Sequence, residues 1–174
     1  MLDVAIYNFQ VVLGLILFIY GIKKHPDLMR FDLNKVFKFA IIFSIAFFIR
    51  GILYVWLNEK GAVVDLYSQG INSLLAVWWE DCVFVLPFLI LHKNMGRKSY
   101  YLFPVFIATS FYFALGHLYQ GPTGWVSFIY PFISFYFARK NGLGTVMLCH
   151  IIYDVLIAVM LSGFAETIRR ILWN

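Results

Sequence analysis

Residues 78–91 read WWEDCVFVLPFLIL. The run suits hydrocarbon, yet it carries two adjacent carboxylates, Glu80 and Asp81. What surrounds that pair depends on the solvent the whole chain meets. Of 174 residues, 62% are hydrophobic and 13% are charged, against about 25% charged in a typical soluble domain. A soluble domain of this size still exposes roughly a third of its chain surface, and this composition offers too little polar surface to cover it. The solvent read from the composition is lipid.

Apolar runs recur at lengths near the roughly 20 helical residues that cross a bilayer core. Six spans are predicted: Val4–Ile22, Val36–Leu57, Ile71–Leu91, Tyr100–Leu118, Thr123–Ala138 and Leu143–Phe164. The fifth is short, and Pro131 is placed to kink it. The runs are continuous rather than alternating, which excludes a transmembrane barrel pattern. No repeat, linker or low-complexity segment divides residues 1–174, so the expected fold is one all-α polytopic membrane bundle of about six helices. The first span follows Asp3 without a basic n-region, and reads as a retained helix rather than a signal peptide.

The net charge of +5 sits mostly in short loops, where it reports topology rather than nucleic-acid binding. Lys23, Lys24, Arg30, Lys35 and Lys38 lie between spans one and two, Lys93, Arg97 and Lys98 between three and four, and Arg139 and Lys140 between five and six. The other loops carry Lys60 alone. The positive-inside rule makes the basic loops cytoplasmic, although Arg169 and Arg170 oppose that orientation. The tail GFAETIRRILWN also reads as a short interfacial helix. Cys82 and Cys149 fall inside spans without a CxxC spacing and read as small buried residues.

Ionisable groups inside spans cost about 2.5–3.5 kcal/mol each on insertion scales, so they face the bundle interior and mark working sites. Here they are Arg50, Glu80, Asp81, His117, His150 and Asp154. His150 and Asp154, four apart in HIIYD, share a helix face, as do Phe113 and His117 in FALGH. Glu80 and Asp81 are about 100° apart around their helix, so one is expected to carry chemistry and the other to make a supporting bond, with Arg50 as its candidate cation. Loop connectivity brings Glu80 and His117 to the same half of the membrane and His150 near mid-depth. Converging, they suit activation of water: the carboxylate takes a proton, one imidazole positions the water, and a second stabilises an oxyanion. That chemistry is amide hydrolysis. The bland readings are an interhelical hydrogen-bond donor for His117, a structural ion-pair partner for Arg50, and packing for the aromatic residues. Trp78 and Trp79 could wall the cavity beside Glu80.

The order of motifs, Glu80-Asp81, then Phe113–His117 as FxxxH, then His150–Asp154 as HxxxD, resembles the CPBP family of intramembrane proteases. That family, also called Abi, includes CAAX prenyl proteases and bacteriocin-processing or immunity proteins, and it carries EExxxR, FxxxH and HxxxN/D on consecutive transmembrane helices. The resemblance covers about residues 71–160. It implies Glu80 as general base, His117 as its partner in activating water, and His150 with Asp154 as the oxyanion-stabilising pair, with Phe113 packing. It also implies a membrane-associated or lipidated peptide substrate, a multi-pass location in a prokaryotic plasma membrane, and no metal. Two His and a Glu could bind zinc, but no HExxH helix is present. Asp81 departs from the motif's second Glu, and Val85 stands where its Arg is expected, a role Arg50 could take from span two. Because an ionised Asp accepts but cannot donate, Asp154 is expected to orient His150 and favour its protonated form. Two alternatives stand beside the protease: a proteolytically silent membrane scaffold or immunity factor, and a small transporter or haem protein using His117 and His150.

Overall fold

A computed structural model describes residues 2–56, 76–118 and 122–159, together with Thr167, Arg170 and Ile171. All regular structure among the described residues is helical. In chain order the α-helices are α1 (Leu2–Lys24), α2 (Leu33–Trp56), α3 (residues 76–84), α4 (Leu86–Met95), α5 (Phe103–Gly116), α6 (Tyr130–Asn141) and α7 (Leu143–Val159). Two 3₁₀ segments, Gly96–Leu102 and Pro122–Ile129, precede α5 and α6. At 1.5 Å per residue, the 23 residues of α1 and 24 of α2 make rods of about 35 Å.

The apolar helical stretch Ala76–Gly116 is long and apolar enough to cross a membrane. It is not one rod. It turns back at Gly96, whose φ of 56° is one that glycine adopts without a Cβ penalty. Phe84 then packs on Phe113 at 5.1 Å and Phe88 on Phe106 at 4.5 Å between ring centroids, so α3–α4 and α5 run antiparallel. Val85 separates α3 from α4, and Pro87, which has no N–H to return to Val83, is the second residue of α4.

Proline recurs at the start of helices. Pro87, Pro104 and Pro131 each stand at the second residue of α4, α5 and α6, where the missing N–H is one the helix could not have used. The kink expected at Pro131 is therefore absent. Span five is instead a 3₁₀ segment followed by α6, which runs on to Asn141.

The core forms around α3 and α4. Val77, Cys82, Val85, Leu86 and Leu89 are buried there with Phe113 of α5 and Leu143, Val146 and Met147 of α7. Phe18 of α1 reaches this cluster and meets the Trp78 ring at 6.1 Å, while Trp79 is buried within it. A second cluster, Val36, Phe39 and Cys149, joins α2 to α7. Both cysteines are free and buried.

Three basic connections meet at one end of the molecule. Lys93 Nζ pairs with Asp27 at 2.8 Å, Arg30 donates to the Lys140 carbonyl, and Arg139 Nη1 approaches His92 Nε2 at 3.4 Å. The loop after α1 is also joined to the start of α7, with Leu143 N donating to Leu28 O at 2.6 Å and Asp32 N to Thr145 Oγ1 at 2.8 Å. Gly142, at φ 92°, lies against the Arg30 carbonyl where a Cβ would collide. This gathers on one side the loops whose charges the sequence assigns to one side. Lys60, residues 71–75, Phe164, Arg169 and Trp173 lie outside the described residues; of the tail, Thr167, Arg170 and Ile171 are helical and exposed.

Candidate active site

The polar cluster is built from three helices. α3 supplies Glu80 and Asp81, the first residue of α6 is Tyr130, and α7 supplies His150 and Asp154. His150 lies at the centre, with its side chain 3% exposed. Asp81, fully buried, brings Oδ2 to 3.3 Å from His150 Nδ1. Its other oxygen accepts from the Tyr130 hydroxyl at 2.9 Å. On the opposite edge of the imidazole, Nε2 lies 4.0 Å from Glu80 Oε2 and 3.6 Å from Asp154 Oδ1.

Glu80 and Asp81 therefore both reach His150, despite pointing about 100° apart on α3. The ring reconciles this by presenting a different nitrogen to each. The carboxylates differ in exposure: Asp81 is sealed behind the ring, whereas Glu80 and Asp154 are 14% and 23% exposed.

The partner that fixes His150 is also different from the one expected. The i, i+4 spacing does bring Asp154 beside the ring, but at Nε2, on the same edge as Glu80. The contact within hydrogen-bond reach comes from Asp81 on the neighbouring helix. Asp81 itself is bonded by Tyr130 and His150; the Arg50 side chain, its expected partner, lies outside the described residues. Val85 is fully buried in the core, so the motif position that would hold Arg is filled by packing.

His117 stands just past α5, where Nδ1 donates to the Phe113 carbonyl at 2.9 Å. Its ring lies 4.4 Å from Phe113, Phe113 stacks on Tyr130 at 5.6 Å with an interplanar angle of 24°, and Tyr130 lies 4.1 Å from His150. The described contacts thus link His117 to the cluster through two aromatic rings. The imidazole standing beside Glu80 is His150. Phe113 packs as expected, and it does so between His117 and Tyr130.

Nothing in the sequence alone separates Tyr130 from the other tyrosines among its eleven as a member of the polar cluster. The signal it carries is a general one: a tyrosine next to a proline in an apolar run can be the first residue of a helix, and a buried phenol seeks a polar partner.

Comparisons with protein families, curated proteins and solved structures gave no match for this chain.

What the cluster can do follows from its geometry. Carboxylates only accept, so an imidazole between carboxylates is matched when it donates from both edges. A water 2.8 Å from both Glu80 Oε2 and His150 Nε2, which are 4.0 Å apart, would subtend an angle of about 90°, compatible with accepting from the ring and donating to the carboxylate. Zinc ligands converge within about 2.0–2.3 Å of one ion, and among the described residues no group of three or more His, Cys, Asp or Glu could hold one.

Proposed function

We propose that this chain is a multi-pass integral membrane protein of about six spans that hydrolyses a peptide bond in a membrane-associated peptide. The observation that carries the catalytic part is the approach of Glu80 and His150, contributed by separate helices, to 4.0 Å, with the imidazole steadied from behind by Asp81 and Tyr130.

The membrane part rests on composition and on what the surface exposes. Ile41, Ile45, Ile49 and Ile52 of α2 are 65%, 55%, 53% and 68% exposed, and their spacing aligns them along one helix face. Phe9, Val12 and Ile16 are similarly exposed on α1. In water this apolar area would be an aggregation surface; against lipid it is the ordinary exterior of a bundle. Glu80 stands twelve positions before His92 at the basic end, about 18 Å at the helical rise of α3 and α4 taken end to end, within the roughly 30 Å of a bilayer core.

In the reaction, water accepts a hydrogen bond from His150 Nε2–H and donates to Glu80. As its oxygen attacks the peptide carbonyl carbon, its proton passes to the Glu80 carboxylate. The carbonyl oxygen becomes an oxyanion, and the His150 Nε2–H, released by the water oxygen as that oxygen bonds to carbon, turns to stabilise it. Glu80 then returns the proton to the departing nitrogen as the C–N bond breaks, leaving a carboxyl product and an amine. Asp81 and Tyr130 hold the ring through the Nδ1 edge, a division of labour like that of an aspartate behind a catalytic imidazole.

The test compares N-terminal peptides in membranes of cells carrying the wild type, Glu80→Gln or His150→Asn. Loss of the same new termini in both variants is expected. Identical termini in all three would overturn the protease reading and favour a non-catalytic scaffold, the reading that Val85 at the motif's Arg position supports.

A further inference from the structure

A second cavity, distinct from the Glu80–His150 cluster, opens at the basic end. It measures about 120 Å³ and is lined chiefly by Phe88, Phe106, Phe132, Phe135 and Leu102, with His92 and Ser99 at one side. The cavity is open to the exterior and mostly apolar, so an apolar segment of a ligand can enter it from outside. Phe88 and His92, four apart on α4, share one face of that helix.

That polar side is held by a directed chain of hydrogen bonds. Arg139 Nη1 approaches His92 Nε2 at 3.4 Å, His92 Nδ1 meets Ser99 Oγ at 2.9 Å, and Ser99 Oγ donates to the Gly96 carbonyl at 2.7 Å. Because Arg only donates, His92 accepts at Nε2 and donates from Nδ1. Arg139, which is exposed, is thereby tied to the lining residue His92, and its guanidinium has further N–H groups beyond the one given to the ring. Arg97 and Lys98, also exposed, immediately precede Ser99.

An apolar slot whose lining residue His92 is approached by the Arg139 guanidinium, at the end where the basic loops gather, has the form of an anionic-lipid site, in which a phosphate meets a basic side chain while an acyl chain enters the hydrocarbon side. We propose that one anionic phospholipid of the bilayer binds here, its phosphate against Arg139 with Arg97 and Lys98 nearby, and a segment of one acyl chain among Phe88, Phe106 and Phe135. This rests on the membrane reading but not on the protease reading.

Native mass spectrometry of the full chain in detergent, titrated with phosphatidylglycerol and phosphatidylcholine of identical chains, tests it. One phosphatidylglycerol should be retained at least about fivefold more tightly than phosphatidylcholine. Arg139→Gln should bring the ratio within about twofold, and Leu102→Trp, filling the slot, should abolish retention of both. Leu91→Trp, at an exposed part of the rim, serves if Leu102→Trp does not fold. Equal retention of the two lipids, or retention unchanged in Arg139→Gln or in the folded Trp variant, would overturn the proposal. So would displacement by glycerol phosphate, which would mark a site for soluble anions, or by an aromatic peptide, which would mark a peptide groove. Recovery of every variant in the membrane fraction keeps this outcome separate from failure of the membrane reading.

Discussion

Tyr130→Phe isolates the bond that anchors the polar cluster. The substitution removes one oxygen and leaves the ring, so the contacts with Phe113 at 5.6 Å and His150 at 4.1 Å persist and no cavity of consequence opens. What is lost is the 2.9 Å bond to Asp81 Oδ1, on a carboxyl group with no exposure. Neutral interhelical hydrogen bonds in membranes average about 0.6 kcal/mol. Bonds to charged groups are worth about 1.5–3 kcal/mol, and a buried acceptor stripped of its donor forfeits the upper part of that range. We therefore expect a loss of about 1.5–3 kcal/mol, a 10- to 150-fold change in the folding equilibrium. For a chain of this length that corresponds to a fall of roughly 3–12 °C in Tm. Unfolding in mixed micelles is the assay, with Asp81→Asn and the double variant completing a thermodynamic cycle. A loss under about 0.5 kcal/mol, or additive single effects, would refute the argument that burial makes this bond strong.

The Lys93–Asp27 pair has a similar distance, 2.8 Å, but side chains 44% and 54% exposed, so Lys93→Ala should cost no more than about 1 kcal/mol by the same unfolding assay. The hydrogen bond from Lys93 holds the Asp27 carboxyl below its ordinary value. Its small stabilisation is therefore present above the unfolded value of about 3.9 and fades as pH falls through the lower folded one, and Lys93→Ala should flatten that acid limb in a pH series of unfolding midpoints. Gly142→Ala places a Cβ at φ 92° against the Arg30 carbonyl, so a loss of at least about 1–3 kcal/mol is expected from strain; an unchanged midpoint would show that the loop yields freely. Leu86→Ala empties a site with no exposure and should cost about 2–5 kcal/mol, measured by the same unfolding.

Spacing was informative where it acted within one helix. His150 and Asp154 do meet, because i and i+4 share a face whatever the tertiary fold. It was less informative between helices. Helix periodicity sets Glu80 and Asp81 about 100° apart, yet an imidazole with nitrogens on two edges can take both. Which carboxylate would reach Nδ1 depended on the packing of α3 on α7, and no periodicity encodes that. Pro131 was legible as a local break but not as a helix start, since the same missing N–H serves either purpose and the preceding 3₁₀ turn decides between them. The hairpin at Gly96 was visible as a basic loop between two apolar runs. The His92–Ser99–Gly96 chain of bonds across it was not, because no periodicity encodes side-chain bonds within a loop.

The seam between the first loop and the start of α7 has a consequence for how the chain is made. Asp32 N–H and Thr145 Oγ1 are 113 positions apart. At about 5–20 residues per second, the ribosome completes the second partner roughly 6–20 s after the first. During that interval the loop between α1 and α2 exists without the segment that will fasten it, and Leu28 O and Asp32 N lack their partners on α7. A nascent chain arrested before Gly142 should keep this turn open to protease, and one arrested after α7 has emerged should close it.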